Sequence, residues 1–114
     1  MPSPRRGEIY WVNLDPTLGS EISKMRPAVI ISNDIGNQYS QRVIVAPITS
    51  RRTQQIYPFE VRVEIGEGGL KESSKVLLDQ IRTVDKSRLV RKLGKLKPNT
   101  MEGIDKAIRL SLDV

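Results

Sequence analysis

The chain contains neither histidine nor cysteine. A serine–histidine–aspartate relay, a cysteine–histidine pair and any imidazole- or thiolate-ligated metal are therefore excluded at once. Its 13 acidic residues are scattered singly, as at Glu8, Asp15, Glu21 and Asp34, with no D-x-D cluster to gather a divalent cation. Gly66-Glu67-Gly68-Gly69 follows a strand-like run but lacks the Lys-Ser or Lys-Thr pair and the helix of a phosphate loop, and it reads as a hairpin turn. One reaction needs none of these groups. In the cleavage of RNA by its own 2′-hydroxyl, the nucleophile sits inside the substrate. The protein then has to position the phosphate, stabilise the negative charge that develops on it, and move protons. An arginine fork suits the first two tasks, because its planar donors match two phosphate oxygens and it stays charged at any working pH. Hydroxyls such as those of Thr49 or Ser50 would add hydrogen bonds. Neither group is a good base, so the residues leave the proton acceptor unassigned.

The charge balance points to a polyanion. With 19 Lys and Arg against 13 Asp and Glu, the 114-residue chain carries a net charge of +6, which raises the local concentration of nucleic acid or of an acidic protein segment. Arg51 and Arg52 lie beside the aromatic Tyr57, a combination suited to holding phosphates and stacking a base. Tyr10, Trp11 and Phe59 fall on strand patterns and read as core or dimer-contact residues. Met1 to Arg6 is basic, but no apolar run follows it as in a signal peptide, and nothing is long enough to span a membrane. With no disulfide framework either, a cytoplasmic protein is expected.

The length is that of one domain, residues 1–114, with Met1 to Pro4 as a loose end. Ile9 to Leu14 reads as a strand closing at Asp15-Pro16. Pro27 to Ser32 and Val43 to Ile48 are uninterrupted apolar runs, as in central strands buried on both faces. Between them, Asn33-Asp34 and Gly36-Asn37 mark a turn. Phe59 to Ile65 alternates strictly, which predicts a half-exposed strand. Lys75 to Asp79 and Arg82 to Asp85 give two more short strands, whereas the hydrophobics of Leu89 to Leu96 fit neither period. Met101, Ile104, Ala107, Ile108 and Leu112 recur at helical spacing, with Pro98 suited to a first helical position. Asn99 and Glu102 offer an alternative start as a capping box, and Gly103 inside the helix costs about 1 kcal/mol relative to alanine. Five or six short strands and one helix predict an α+β domain: a strongly curved antiparallel sheet or partial barrel with the C-terminal helix packed on it.

Several blocks agree with one known family in both order and spacing. Arg6-Gly7-Glu8-Ile9-Tyr10-Trp11-Val12-Asn13-Leu14, Gly19-Ser20-Glu21, Arg26-Pro27-Ala28-Val29-Ile30-Ile31-Ser32-Asn33-Asp34, Val45-Ala46-Pro47-Ile48-Thr49-Ser50 and Leu77-Leu78-Asp79-Gln80-Ile81-Arg82-Thr83-Val84-Asp85 resemble the MazF/PemK toxin endoribonucleases. The resemblance covers nearly the whole chain. It implies an SH3-like, CcdB/PemK-type barrel and a homodimer. The implied activity is that of an mRNA interferase, which cuts single-stranded RNA at a short sequence without metal or other cofactor and arrests growth. It leaves a 2′,3′-cyclic phosphate and a 5′-hydroxyl. A labile acidic antitoxin would neutralise it, and DNA would be met only indirectly, through that antitoxin. Carried onto this sequence, the family's catalytic arginine and its assisting threonine fall at Arg26 and Thr49. Glu21, Asn33 and Gln80 fall at positions of the RNA groove. Loops 36–41 and 50–58 follow no fixed family pattern and are where cleavage specificity would differ. Two other readings stand beside this one: a non-enzymatic CcdB-like toxin that inhibits a protein such as DNA gyrase, and a basic nucleic-acid-binding module without activity.

Overall fold

The computed structural model describes residues 3–16, 18–21 and 24–114. Seven strands form one antiparallel sheet: β1 (Glu8–Asn13), β2 (Met25–Ile30), β3 (Arg42–Thr49), β4 (Glu60–Val63), β5 (Ser74–Leu77), β6 (Arg82–Asp85) and β7 (Leu89–Lys95). Two helices accompany them, α1 (Asp34–Tyr39) and α2 (Pro98–Leu112). The order is β4-β5-β3-β2-β1-β7, with β6 also paired to β3. β3 is the hub: Val45–Pro47 pair with β2, while Arg42–Val45 pair with β6 and Ile48–Thr49 with β5.

The central strands are buried on both faces, as their apolar runs predict. Val29, Ala46 and Ile48 join Val63, Val76, Ile104 and Ala107 in one core cluster beneath α2. Ala28, Ile30, Val43 and Val45 point the other way into a second, with Val12, Leu14 and Val84. The sheet curls into a partial barrel. A turn of 3₁₀ helix over Glu67–Gly69 replaces the simple hairpin turn, and it packs backbone to backbone on β7. A Cβ on Gly69 would strike the Leu93 carbonyl, and one on Gly94 the carbonyl of Gly68, so glycine is required at both.

That turn also starts α2. The Glu67 carboxylate accepts the Lys97 N–H at 3.1 Å and the Thr100 hydroxyl at 2.7 Å, supplying the cap that neither Lys97 nor a capping box at Asn99 provides. Pro98 is the first helical residue, as expected. Ile104 and Ala107 are buried, with Met101 and Ile108 packed beside them, while Leu112 in the last turn is 57% exposed.

Other expectations are corrected. Leu89–Lys95 is a strand, and its register on β1 shifts twice, between Ile9 and Tyr10 and between Trp11 and Val12. These irregularities break the period of two. The turn after β2 is instead helix α1, capped by the Asn33 side chain, which accepts the Gly36 N–H at 2.7 Å. Its Asp34 accepts the Arg6 N–H at 2.7 Å and the Asn37 amide at 3.1 Å. The first of these holds the Asp34 carboxyl below the usual aspartate range, helped by the second. Of the expected loose end, Met1 and Pro2 lie outside the described residues, while Pro4 is buried.

Candidate active site

In an antiparallel pair, residues directly opposite one another share a face. β2 and β3 pair as Ala28↔Pro47, Val29↔Ala46 and Ile30↔Val45. The pairing ends at Ala28 and Pro47, and Arg26 and Thr49 lie beyond it at the ends of their strands, where both line one groove. On the other side of β3, Thr49 pairs with Lys75, and Lys75 in turn with Arg62 of β4. A polar row thus crosses β3, β5 and β4, from Thr49 through Lys75 to Arg62, on the sheet face away from the cluster beneath α2.

The Thr49–Lys75 part of the row borders a groove of about 410 Å³. Arg26, Thr49, Arg51, Arg52, Gln80 and Glu21 all line it, together with Ser20, Tyr57, Glu60, Lys75 and Leu77. Six of the seven residues singled out in the sequence are therefore brought together. The seventh, Asn33, lies outside this groove at the cap of α1. Arg26 also lines a neighbouring depression of about 370 Å³ with Trp11, Pro27, Lys71 and Arg91, so Arg26 stands where the two meet.

Local bonding shapes each group. Thr49 Oγ1 accepts the Arg51 N–H at 3.1 Å, fixing the turn after β3 while its own O–H remains a donor. Glu21 closes its loop by accepting the Leu18 N–H at 2.6 Å. Arg51 and Arg52 are exposed on the segment between β3 and β4. The groove is basic: four cationic side chains line it, and of its two carboxylates Glu60 is already paired to Lys75 at 2.9 Å.

The Lys75–Glu60 pair was not foreseen from the sequence. Lys75 heads an apolar run and Glu60 sits in an alternating strand, where it reads as solvent-facing, yet both are buried. The available signal was the lysine itself, since a cation inside an apolar strand requires an acidic partner. Among the described residues no three acidic side chains converge on a possible cation site.

A strongly curved antiparallel sheet whose basic groove gathers Arg26, Arg51 and Arg52 with Thr49 defines a small domain suited to an anionic ligand. Residues 5–112 match the model of the PemK-like, MazF-like toxins of type II toxin–antitoxin systems, and the chain belongs to that family. It is 40% identical over 108 residues to the endoribonuclease EndoA of Bacillus subtilis strain 168, covering 95% of this chain and 93% of that one. The crystal structure of MazF from Deinococcus radiodurans superposes with a TM-score of 0.86 over 100% of both chains, at 28% identity. A mycobacterial endoribonuclease in complex with its cognate antitoxin gives 0.82, at 27% identity, over 98% of this chain and 97% of that one.

Proposed function

We propose that this protein is the toxin of a type II toxin–antitoxin pair and acts as an endoribonuclease on single-stranded RNA, without metal or other cofactor. The observation that carries the reading is that Arg26 and Thr49 line one basic groove together. A protein that only binds another protein has no need of a fork and a hydroxyl facing one anion site.

In the proposed reaction the substrate's 2′-oxygen attacks the adjacent phosphorus, and the bond from phosphorus to the 5′-oxygen breaks. The 2′-hydroxyl proton is lost and the leaving oxygen gains one, giving a 2′,3′-cyclic phosphate and a 5′-hydroxyl. Arg26 donates two parallel hydrogen bonds to the non-bridging oxygens, where charge accumulates. The Thr49 hydroxyl donates a third. Arg51 and Arg52 hold flanking phosphates, while Glu21 and Gln80 offer an acceptor and an amide to base edges. Asn33 has no part in this groove.

The reading extends to partners. An acidic antitoxin segment would compete with RNA for the same cationic groove. A homodimer would cover apolar side chains such as Ile35, Tyr39 and Val90, which are exposed in the single chain; sedimentation at twice the 12.9 kDa chain mass checks it. No described helix is long and apolar enough to cross a membrane, and a cytoplasmic site of action fits an mRNA substrate.

Incubating the purified protein with a long single-stranded transcript in EDTA tests the function. Expected are discrete fragments with 5′-hydroxyl ends, and no cutting of single-stranded DNA. Loss of activity in EDTA, or 3′-hydroxyl products, would overturn the internal-nucleophile chemistry. Inert RNA alongside inhibited DNA gyrase would make the protein a binder of the CcdB kind.

A further inference from the structure

Part of the groove wall is not used by the cleavage chemistry. The side chains of Lys75 and Glu60 are only 6% and 7% exposed, with Nζ and Oε1 2.9 Å apart. Lys75 Nζ also donates to the Gln55 carbonyl at 3.1 Å. The same Glu60 oxygen accepts the Tyr57 N–H at 3.0 Å. The cation thus holds a carbonyl and the anion holds an amide of one segment, the stretch from 50 to 59 between β3 and β4. Arg62 adds a third tether, donating to the Thr53 carbonyl at 2.6 Å.

A buried ion pair contributes little net stability, because desolvation offsets most of its attraction. What this pair supplies is fixed geometry, and the group fixed is Tyr57. Its ring lies parallel to that of Phe59, with centroids 5.5 Å apart and planes inclined by 2°. Lys75 Nζ lies 6.0 Å from its centre. Tyr57 as a residue nevertheless remains 46% exposed, lining the groove with Arg26 and Thr49. A half-open aromatic, anchored through its backbone and set among phosphate-binding arginines, is a surface on which a base splayed from a single strand stacks.

We propose that Tyr57 forms a base-stacking subsite of the RNA groove, and that Lys75–Glu60 is the positioning pair that holds it, setting the sequence preference at one nucleotide near the cut. The proposal rests on the reading of the chain as an RNA-cleaving toxin and deepens it by assigning part of its specificity to a particular ring. In this reading the exposed Arg51 and Arg52 hold phosphates, which carry no sequence information. Tyr57 supplies an interaction that depends on whether the nucleotide beside it can unstack and swing out.

The experiment digests long transcripts with excess protein and maps every 5′-hydroxyl end by sequencing. This gives the base frequency at each position around the cut, together with the maximal rate and the half-saturating protein concentration. Tyr57→Leu should raise the half-saturating concentration about tenfold, lower the maximal rate much less, and flatten the base frequency at one position. Tyr57→Phe, which keeps the ring, should restore the wild-type profile. The double variant Lys75→Met with Glu60→Gln removes the ion pair without stranding either charge, and should flatten the same position. If its melting temperature falls below that of the assay, Lys75→Arg carries the comparison, because it keeps the charge but moves the donor away from Gln55; partial flattening is then expected. A wild-type protein that cuts no RNA overturns both the reading and the subsite. A wild type that cuts, with Tyr57→Leu matching it in profile and in half-saturation, overturns the subsite alone. An unchanged profile in the folded pair variants removes the positioning role.

Discussion

Arg26 has its proposed effect mainly in the transition state, since its fork is aimed at oxygens whose charge grows as the 2′-oxygen attacks. Arg26→Ala should therefore lower the single-turnover rate at saturating protein by on the order of 100- to 1,000-fold. RNA affinity should fall far less, because Arg51 and Arg52 remain in the groove. Arg26→Lys should rescue poorly, a point charge being unable to reproduce two parallel bonds. A near-normal saturated rate for Arg26→Ala would reduce this residue to a phosphate contact. Single residues were legible in the sequence wherever their neighbours named them: Arg26 beside Pro27, and Thr49 at the end of an apolar strand, lead straight to the groove. Asn33 stands apart from that groove. Its block matches the family, but its side chain caps α1, a local use that any asparagine before a short helix can have. Lys75 and Glu60 were illegible for another reason, because their partnership depends on the register of β4 on β5, which neither segment encodes alone.

At the scale of elements, the C-terminal helix was read correctly through Leu112, and its glycine gives a clean test. A Cβ at Gly103 would meet Val61 Cγ1 at 3.7 Å, an ordinary van der Waals contact. Gly103→Ala should stabilise the fold by roughly 0.5–1 kcal/mol through reduced backbone entropy in the unfolded chain, measured as a higher urea midpoint at unchanged slope. Helix α1 escaped detection because six residues that include Gly36 and Asn37 lack the length for any period to show. It is anchored to the N-terminal segment through Asp34, which accepts the Arg6 N–H. The Arg6 N–H, and then the Asn37 amide, lower the Asp34 pKa, so the folded state favours the ionised form. The resulting stabilisation is present above the unfolded value of about 3.9 and disappears as the pH falls through the lower folded value. Asp34→Asn should accordingly melt below the wild type at neutral pH, and the gap should close in strong acid. A gap of constant size down to pH 2 would show that the charge contributes nothing. Strand β7 was ambiguous for a structural reason, since its two register shifts against β1 destroy the alternation by which a strand is recognised.

For the whole molecule, the net charge of +6 and the groove's exposed arginines set how binding responds to salt. Each phosphate neutralised on a single strand releases condensed counterions, and the logarithm of the affinity falls by about 0.7 per phosphate for each unit of log salt. A stacked base releases none. This separates two kinds of residue that share one groove. Binding can be measured without cutting on a single-stranded RNA carrying 2′-O-methyl groups, which lacks the attacking hydroxyl. Arg51→Ala or Arg52→Ala should then each flatten the salt slope by about 0.7 and weaken all sequences alike. Tyr57→Leu should weaken binding with the slope unchanged, and unequally between sequences. If an arginine variant binds with wild-type slope, its side chain is solvated in the complex and holds no phosphate. A salt slope near zero for the wild type would show that the basic surface is not the RNA-binding face, and the grooves on either side of Arg26 would then have to serve another ligand.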